Sequence, residues 1–256
     1  MRRQTISIRG LCAFIFLLFI SFHPIRSVEK DVNNSLIIPK ESFASPTEIL
    51  YKKLDLEDKL DFSIFERAYK GLQNLSAKNK NILTIVDFTV PSTEKRLYTI
   101  DLENKKLLFH SLVAHGRNSG DKYAKTFSNI NGSFQSSLGF YVTENTYQGG
   151  NGYSLVLNGL EPGINDLAKQ RAIVIHGAAY ANESFITSTG RLGRSFGCPA
   201  LPQHINRPLI NTIKDGTILY IHADDADYLA NSDIIKPEHN TTRLADQSSV
   251  EDEAIL

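Results

Sequence analysis

The chain has 256 residues, of which 41% are hydrophobic and 22% are charged, in proportions typical of a globular protein. Its 28 basic and 28 acidic residues cancel, so the charge balance gives no electrostatic basis for binding nucleic acid. The length supports one sizeable core, and because neither repeats nor low-complexity blocks interrupt it, we predict one principal domain.

The first 27 residues have the pattern of a secretory leader. Arg2, Arg3 and Arg9 precede the apolar stretch Leu11–Phe22, which is shorter than the roughly 20 residues of a membrane-spanning helix. We therefore predict a signal peptide over residues 1–27 and export to the periplasm or cell envelope, with an uncleaved membrane anchor as the alternative. Removal of the four leader arginines would leave 24 basic against 28 acidic residues, a mildly acidic mature chain.

Residues 28–44 are polar and are predicted to be a linker, and residues 45–78 a helical cap. Ser45-Pro46-Thr47-Glu48 has the residue types of a helix start, with Ser45 as cap and Pro46 in the first helical position. Apolar residues then recur at helical spacing in two short runs, as far as Leu72. Two helices that cover the main domain are favoured over a separate binding role.

Residues 79–235 are predicted to form a β-rich catalytic domain with few helices. Strand-like apolar runs, separated by Gly, Asn, Ser and Asp clusters, occur at residues 82–88, 96–101, 106–114, 139–143, 154–157, 171–176 and 217–222. A later helix is predicted at residues 207–214, and the polar segment 236–256 is predicted to be a disordered tail. The predicted fold class is mainly β with peripheral helices.

Beyond the leader, Cys198 is the only cysteine of the chain. A thiol without a disulfide partner in an oxidising compartment needs a reason, and here it lies in a loop rich in Gly, Ser and Arg. His176 ends an apolar run that begins at Arg171, so its imidazole is expected at the mouth of the sheet. A thiol, a base and the backbone amides of Gly197 and Cys198 are the parts that cysteine acyl transfer requires.

The remaining histidines have no ligand-like spacing, and the chain has no cysteine cluster or His-Glu-x-x-His run. We therefore predict neither a metal nor another cofactor.

Several ordered stretches resemble the catalytic domain of L,D-transpeptidases of the YkuD type, across about residues 80–222. The stretches that carry the resemblance are Thr84–Phe88, Val113–Gly116, Asn118–Gly120, Phe127–Asn129, Ser136–Thr143, Ile173–Ala178 and Gly190–Ala200. The subgroup that the chain resembles most is that of the murein L,D-transpeptidase catalytic domain proteins. The resemblance implies a β-sandwich or barrel with the N-terminal helices as a cap.

Carried over position by position, the resemblance implies that Cys198 is the nucleophile and His176 the general base. Ser195 to Cys198, including Gly197, would be the loop whose amides form the oxyanion hole. The chain departs from the broader family at Phe196, where that family has a second histidine, and at Pro199-Ala200, which replaces an apolar residue followed by Arg or Asn.

Four residues are predicted as substrate contacts. Arg191 and Arg194 could replace the missing downstream arginine and bind a carboxylate, or be solvated loop charges. His115 ends a strand and could line the cleft, or stabilise a turn. Tyr141 could lie over the cleft, or pack half-buried in a strand.

The resemblance implies that the partner is the peptidoglycan stem peptide and that the reaction is acyl transfer through a thioester, in a monomer. The products would be 3-3 crosslinks, or trimmed stems if the enzyme is an L,D-carboxypeptidase. A cell-wall Cys/His endopeptidase and a non-catalytic wall-binding module are the alternatives. The common endopeptidases place Cys before His in the chain, whereas here His176 comes first. Phe196, which stands where the broader family has a second histidine, is the reason to retain the non-catalytic module as an alternative.

Overall fold

The computed structural model describes residues 44–236. The predicted leader, the linker apart from residue 44 and the tail apart from residue 236 lie outside the described residues. Within the described part, no helix is long and apolar enough to cross a membrane.

The chain begins with two helices whose ends the sequence explains. Helix α1 spans Pro46–Lys53, and the side chain of Ser45 accepts a hydrogen bond from the Glu48 amide at 3.1 Å. Helix α2 spans Phe62–Asn74 and is capped by Asp61. The buried residues of both helices belong to one hydrophobic core with the strands that follow, so the helices cover that core as a cap would.

Eight strands form one sheet, with the spatial order β3-β2-β1-β8-β4-β5-β6-β7. Their bounds are β1 Ile82–Asp87, β2 Leu97–Asp101, β3 Lys106–Ser111, β4 Gly139–Gly149, β5 Gly152–Gly159, β6 Val174–Gly177, β7 Ala200–Leu201 and β8 Ile218–His222. The pairs β1–β8 and β6–β7 are parallel, and the other neighbours are antiparallel.

The two edges of the sheet approach each other at one end. Ala114, just beyond edge strand β3, and Ala200 in edge strand β7 exchange backbone hydrogen bonds of 2.8 and 3.3 Å. Because this bridge pairs the two edges, the sheet is nearly a closed barrel. The pairing also leaves fewer free N–H and C=O groups at the edges. The predicted fold class, mainly β with helices at the periphery, is confirmed.

The remaining helices are α3 Glu183–Thr189, preceded by a 3₁₀ turn at Ala179–Ala181, α4 Gln203–Ile213 and α5 Ala226–Asn231. Helix α4 begins before the predicted residue 207 and contains Pro208 in its interior. Strands β4 and β5 extend beyond their predicted runs as a long hairpin. Strand β6 starts at Val174 and not at Arg171, because Ala172 has a positive φ of 55° that interrupts extended backbone.

Candidate active site

His176 lies in strand β6, between Ser154 of β5 and Ala200 of β7. Its Nδ1 is 3.1 Å from the carbonyl oxygen of Gly177. Because a carbonyl only accepts, Nδ1 carries the proton and Nε2 is left as the basic nitrogen of the neutral ring. Burial lowers the pKa of His176, and the bond to Gly177 offsets part of that effect, so the ring is neutral and able to accept a proton at pH 7.

Cys198 is a free thiol on the segment that leads into β7. The Val174 amide donates to its Sγ at 3.5 Å, and the thiol faces the carbonyl of Ala172 at 3.7 Å. Since Val174 and His176 are two residues apart in one strand, their side chains lie on the same face of the sheet. The sulfur therefore contacts the backbone of β6 two residues before His176, and no hydrogen bond joins sulfur and imidazole among the described residues.

The thiol is 9% exposed, which limits its ionisation. Burial raises the pKa of Cys198, while the Val174 amide, the Arg171 cation and the cysteine's own amide act in the opposite direction. Arg171 is the cation that lowers the pKa of this sulfur.

Residues 195–198, the Cys198 loop, are held by hydrogen bonds from within and from outside. Ser195 Oγ donates to the Cys198 carbonyl at 2.6 Å and accepts from the Gly197 amide at 3.0 Å. Ser136 Oγ donates to the Gly197 carbonyl at 3.1 Å. The Gly197 amide, predicted as an oxyanion donor, is therefore engaged within the loop, whereas the amides of Phe196 and Cys198 donate to no other residue among those described.

Gly197 is required by the shape of this loop. Its φ is +128°, and an added Cβ would lie 2.9 Å from both the Gln135 carbonyl oxygen and Ile173 Cδ1. Any other residue would be strained and would displace the loop that carries the thiol.

Arg171 is held by the segment 128–137. Its guanidinium donates to the carbonyls of Ser128 and Gln135, both at 2.7 Å, and to the hydroxyls of Ser133 and Ser137. Sequence reasoning treated Arg171 only as the start of a strand, because these partners lie 34 to 43 residues away.

The half-buried Tyr180 was also missed by sequence reasoning. Burial raises its pKa to about 12, and the negative charge of a Cys198 thiolate contributes to the increase.

Arg191 and Arg194 share one carboxylate. Arg191 Nε is 2.6 Å and an Arg194 guanidinium nitrogen 3.3 Å from Asp121 Oδ1. Arg194 also donates to the carbonyls of Gly120 and Arg117. Both predicted carboxylate ligands are thus already paired in the structure.

His115 and Tyr141 are fully buried, so neither can contact a ligand directly in this structure. His115 Nδ1 accepts from the guanidinium of Arg96 at 2.8 Å, and burial followed by the Arg96 charge lowers the pKa of His115 to about 3. Tyr141 donates to the Ser137 carbonyl at 2.9 Å. In this structure both side chains make internal contacts, and their role as substrate contacts stays a prediction.

His115 supports the Cys198 loop through its backbone. Its carbonyl accepts from the Ser195 amide at 2.9 Å, and the Arg117 amide donates to the Ser195 carbonyl at 2.8 Å. Buried Arg96, which binds the Val113 carbonyl as well as His115, fixes the segment from which these bonds are made.

An exposed cluster covers the outer face of the same loop. Phe196, 64% exposed, contacts the ring of Phe134 with centroids 5.0 Å apart. The Arg117 guanidinium carbon lies 4.3 Å from the Phe134 centroid and 4.7 Å from that of Phe196. We call these three residues the Arg117 cluster; no sequence signal identified it, since the members come from three separate segments.

Within residues 44–236, no group of three or more His, Cys, Asp or Glu side chains could hold a metal ion.

The arrangement of thiol, imidazole and glycine loop can be compared with known proteins. Residues 56–222 match the family model described as the L,D-transpeptidase catalytic domain. No curated protein matches the chain.

Among solved structures, an L,D-transpeptidase from Mycobacterium smegmatis is 11% identical with a TM-score of 0.36, covering 58% of this chain and 60% of that one. The helical cell shape determining protein Pgp2 from Campylobacter jejuni is 15% identical with a TM-score of 0.39, covering 59% and 50%. An L,D-transpeptidase from Mycobacterium tuberculosis H37Rv is 12% identical with a TM-score of 0.34, covering 56% and 58%. The chain therefore spans about half to three fifths of the length of these structures.

One prediction concerns Arg171 and the ionisation of the thiol. Because the Arg171 cation lowers the pKa of Cys198, we expect Arg171→Gln to displace the pH profile of Cys198 alkylation by iodoacetamide to higher pH. Arg171→Lys should keep a profile close to that of the wild type. Arg207→Gln, on exposed surface of α4, is the matched control, and an unshifted profile for Arg171→Gln would show that another group stabilises the thiolate.

The family model covers well over half of the chain and spans both His176 and Cys198. The chain belongs to the L,D-transpeptidase catalytic domain family.

Proposed function

We propose that the chain is an exported cysteine acyltransferase that acts on peptidoglycan stem peptides. It would be an L,D-transpeptidase that forms 3-3 crosslinks, or an L,D-carboxypeptidase where water is the acceptor. Membership of the family supports the substrate class, and the position of Cys198 beside the strand that carries His176 supports the chemistry.

In the first step, His176 Nε2 accepts the thiol proton, and the Cys198 thiolate attacks the carbonyl of the L,D-configured diaminoacyl residue. Negative charge develops on the carbonyl oxygen, where the free amide of Cys198, with that of Phe196, can donate to it. Collapse of this intermediate breaks the peptide bond, and the imidazolium returns its proton to the departing D-alanine amine. The product is a thioester on Cys198.

In the second step, an amine of a neighbouring stem attacks the thioester and loses its proton to His176. The thiol regains that proton as it leaves, which restores the resting state. Water in place of the amine gives a trimmed stem and a carboxypeptidase.

The observation that carries the proposal is the contact of Sγ with the backbone amide of Val174, two residues before His176 in β6. Ser195 and Gly197 are assigned the role of shaping the loop, because the Ser195 hydroxyl ties the Gly197 amide to the Cys198 carbonyl. Resting-state hydrogen bonds of catalytic groups often tighten only when substrate is bound.

The wider assignments are also proposals. Residues 1–27 would be a signal peptide or anchor that takes the chain to the periplasm or cell envelope, and 28–44 a linker. Residues 45–78 would be the cap, 79–235 the catalytic domain and 236–256 a disordered tail. The chain would act as a monomer.

A non-catalytic wall-binding module is the second candidate. It is favoured by the burial of Cys198 and the raised pKa that burial causes, since a thiol reacts poorly when it is protonated and enclosed.

Purified muropeptides separate these functions. Wild-type protein incubated with stem tetrapeptides should release D-alanine and give 3-3 dimers by mass spectrometry, and Cys198→Ala should give neither. Tripeptide without dimers would assign the carboxypeptidase. Sacculus binding without any released D-alanine would assign the module and reject the acyltransferase.

A further inference from the structure

The Arg117 cluster is an unassigned feature beside the proposed nucleophile. We propose that Arg117 binds a carboxylate of the stem peptide that donates the acyl group. This inference rests on the proposed function, and it assigns to Arg117 the carboxylate-binding role that was predicted for Arg191 and Arg194.

The first support is charge. Among the described residues, Asp121 neutralises Arg191 and Arg194, whereas the exposed Arg117 side chain has no carboxylate within ion-pair distance and no hydrogen-bond acceptor. Arg117 is therefore a cation at this site whose N–H donors remain available for an anionic ligand.

The second support is preorganisation. Contacts with the rings of Phe134 and Phe196, at 4.3 and 4.7 Å from the centroids, hold the guanidinium without using its in-plane donors. A planar guanidinium with its edge free is suited to bidentate binding of a carboxylate. The aromatic surface also reduces contact with water, which strengthens a charged hydrogen bond.

The third support is position. The Arg117 amide donates to the Ser195 carbonyl at 2.8 Å, and Gly116 pairs with Ser195, so this segment runs beside the Cys198 loop. Phe196 is two residues before Cys198, and two backbone links span at most about 7.6 Å between Cα atoms. That separation is about the distance between residues two apart in an extended peptide substrate, so a carboxylate near the scissile bond could reach Arg117.

This arrangement explains why a phenylalanine stands at position 196, where the broader family has a second histidine. An aromatic residue at this position supplies one of the two faces that hold the guanidinium, a contact that fixes the cation beside the loop. We assign Phe196 as a positioning residue for Arg117, not as a proton carrier.

The test measures binding without turnover. In a Cys198→Ala background, a stem tetrapeptide is titrated by calorimetry, together with versions in which each carboxylate in turn is a carboxamide. We expect one of the carboxamide ligands to bind about 10- to 100-fold more weakly, the loss typical of a missing charge-assisted hydrogen bond. Arg117→Gln should cause a similar loss with the carboxylate ligand and none with that carboxamide.

Arg207→Gln is the matched control, because Arg207 also lies over an aromatic ring, Tyr153 at 4.4 Å, but on exposed surface of α4. It should bind the tetrapeptide as the wild type does. Thermal melting of each variant checks that the fold is retained. The carboxamide ligands test the proposal independently of any substitution at Arg117.

Failure of this inference is distinct from failure of the proposed function. If binding through Arg117 depends on the carboxylate but the wild type releases no D-alanine, the carboxylate-binding role of Arg117 stands and the proposed acyltransferase activity is rejected. If turnover is normal and Arg117→Gln binds the tetrapeptide with the affinity of the wild type, only the carboxylate-binding role of Arg117 is rejected. Equal affinity for all ligands, or no binding of the tetrapeptide, would also overturn it.

Discussion

His176→Ala is expected to lower the rate of D-alanine release from stem tetrapeptides by about two to four orders of magnitude, the range for loss of a general base. The neutral ring, anchored at Nδ1 by the Gly177 carbonyl, supplies the basic nitrogen. Because burial lowers its pKa, the ring should stay neutral, and the wild type active, somewhat below the ordinary histidine range. Single-turnover measurements at several pH values would report this directly.

His204→Ala is the matched control, since His204 is an exposed histidine near the start of α4. It should react at the rate of the wild type. Near-normal acylation by His176→Ala would mean that another group takes the thiol proton.

Gly197→Ala is expected to lower acylation by about two orders of magnitude or more, as displacement of a reacting group by about 1 Å can do. The added methyl group would lie 2.9 Å from the Gln135 carbonyl oxygen, in a backbone conformation with φ of +128°. The loop must shift to relieve this contact, which would move both the sulfur and the Cys198 amide. Stopped-flow acylation by an activated ester of a stem peptide is the measurement.

Gly150→Ala provides the comparison for Gly197→Ala. A Cβ added at Gly150 would have no heavy atom within 4 Å, so the variant should react normally. If Gly197→Ala acylated within twofold of the wild type, the loop would not need its present shape for catalysis.

The fold class could be predicted from the sequence, and Cys198 and His176 could be proposed as the central residues, for identifiable reasons. Apolar runs between turn residues mark the strands, and a lone thiol after Ser195-Phe196-Gly197 marks the loop. Helix α3 was missed because none of its residues is buried, so it has no apolar stripe, and the side chain of Asn182 makes no capping hydrogen bond.

The substrate contacts were harder to predict because they depend on distant partners. Whether Arg194 is free is decided by Asp121, more than seventy residues earlier in the chain. Whether His115 faces a cleft is decided by Arg96, which approaches it from another strand. A local sequence motif contains neither the Arg194–Asp121 contact nor the His115–Arg96 contact. The motif could therefore identify the Cys198 loop but not the charged residues around it.

The most direct test of the central claim, that the sulfur of Cys198 becomes acylated with His176 as base, is the intact mass of protein incubated with a carbapenem. We predict one covalent adduct in the wild type, mapped to Cys198 by peptide analysis, formed much more slowly in His176→Ala and absent in Cys198→Ser. No adduct in the wild type, or an adduct that persists in Cys198→Ser, would contradict it.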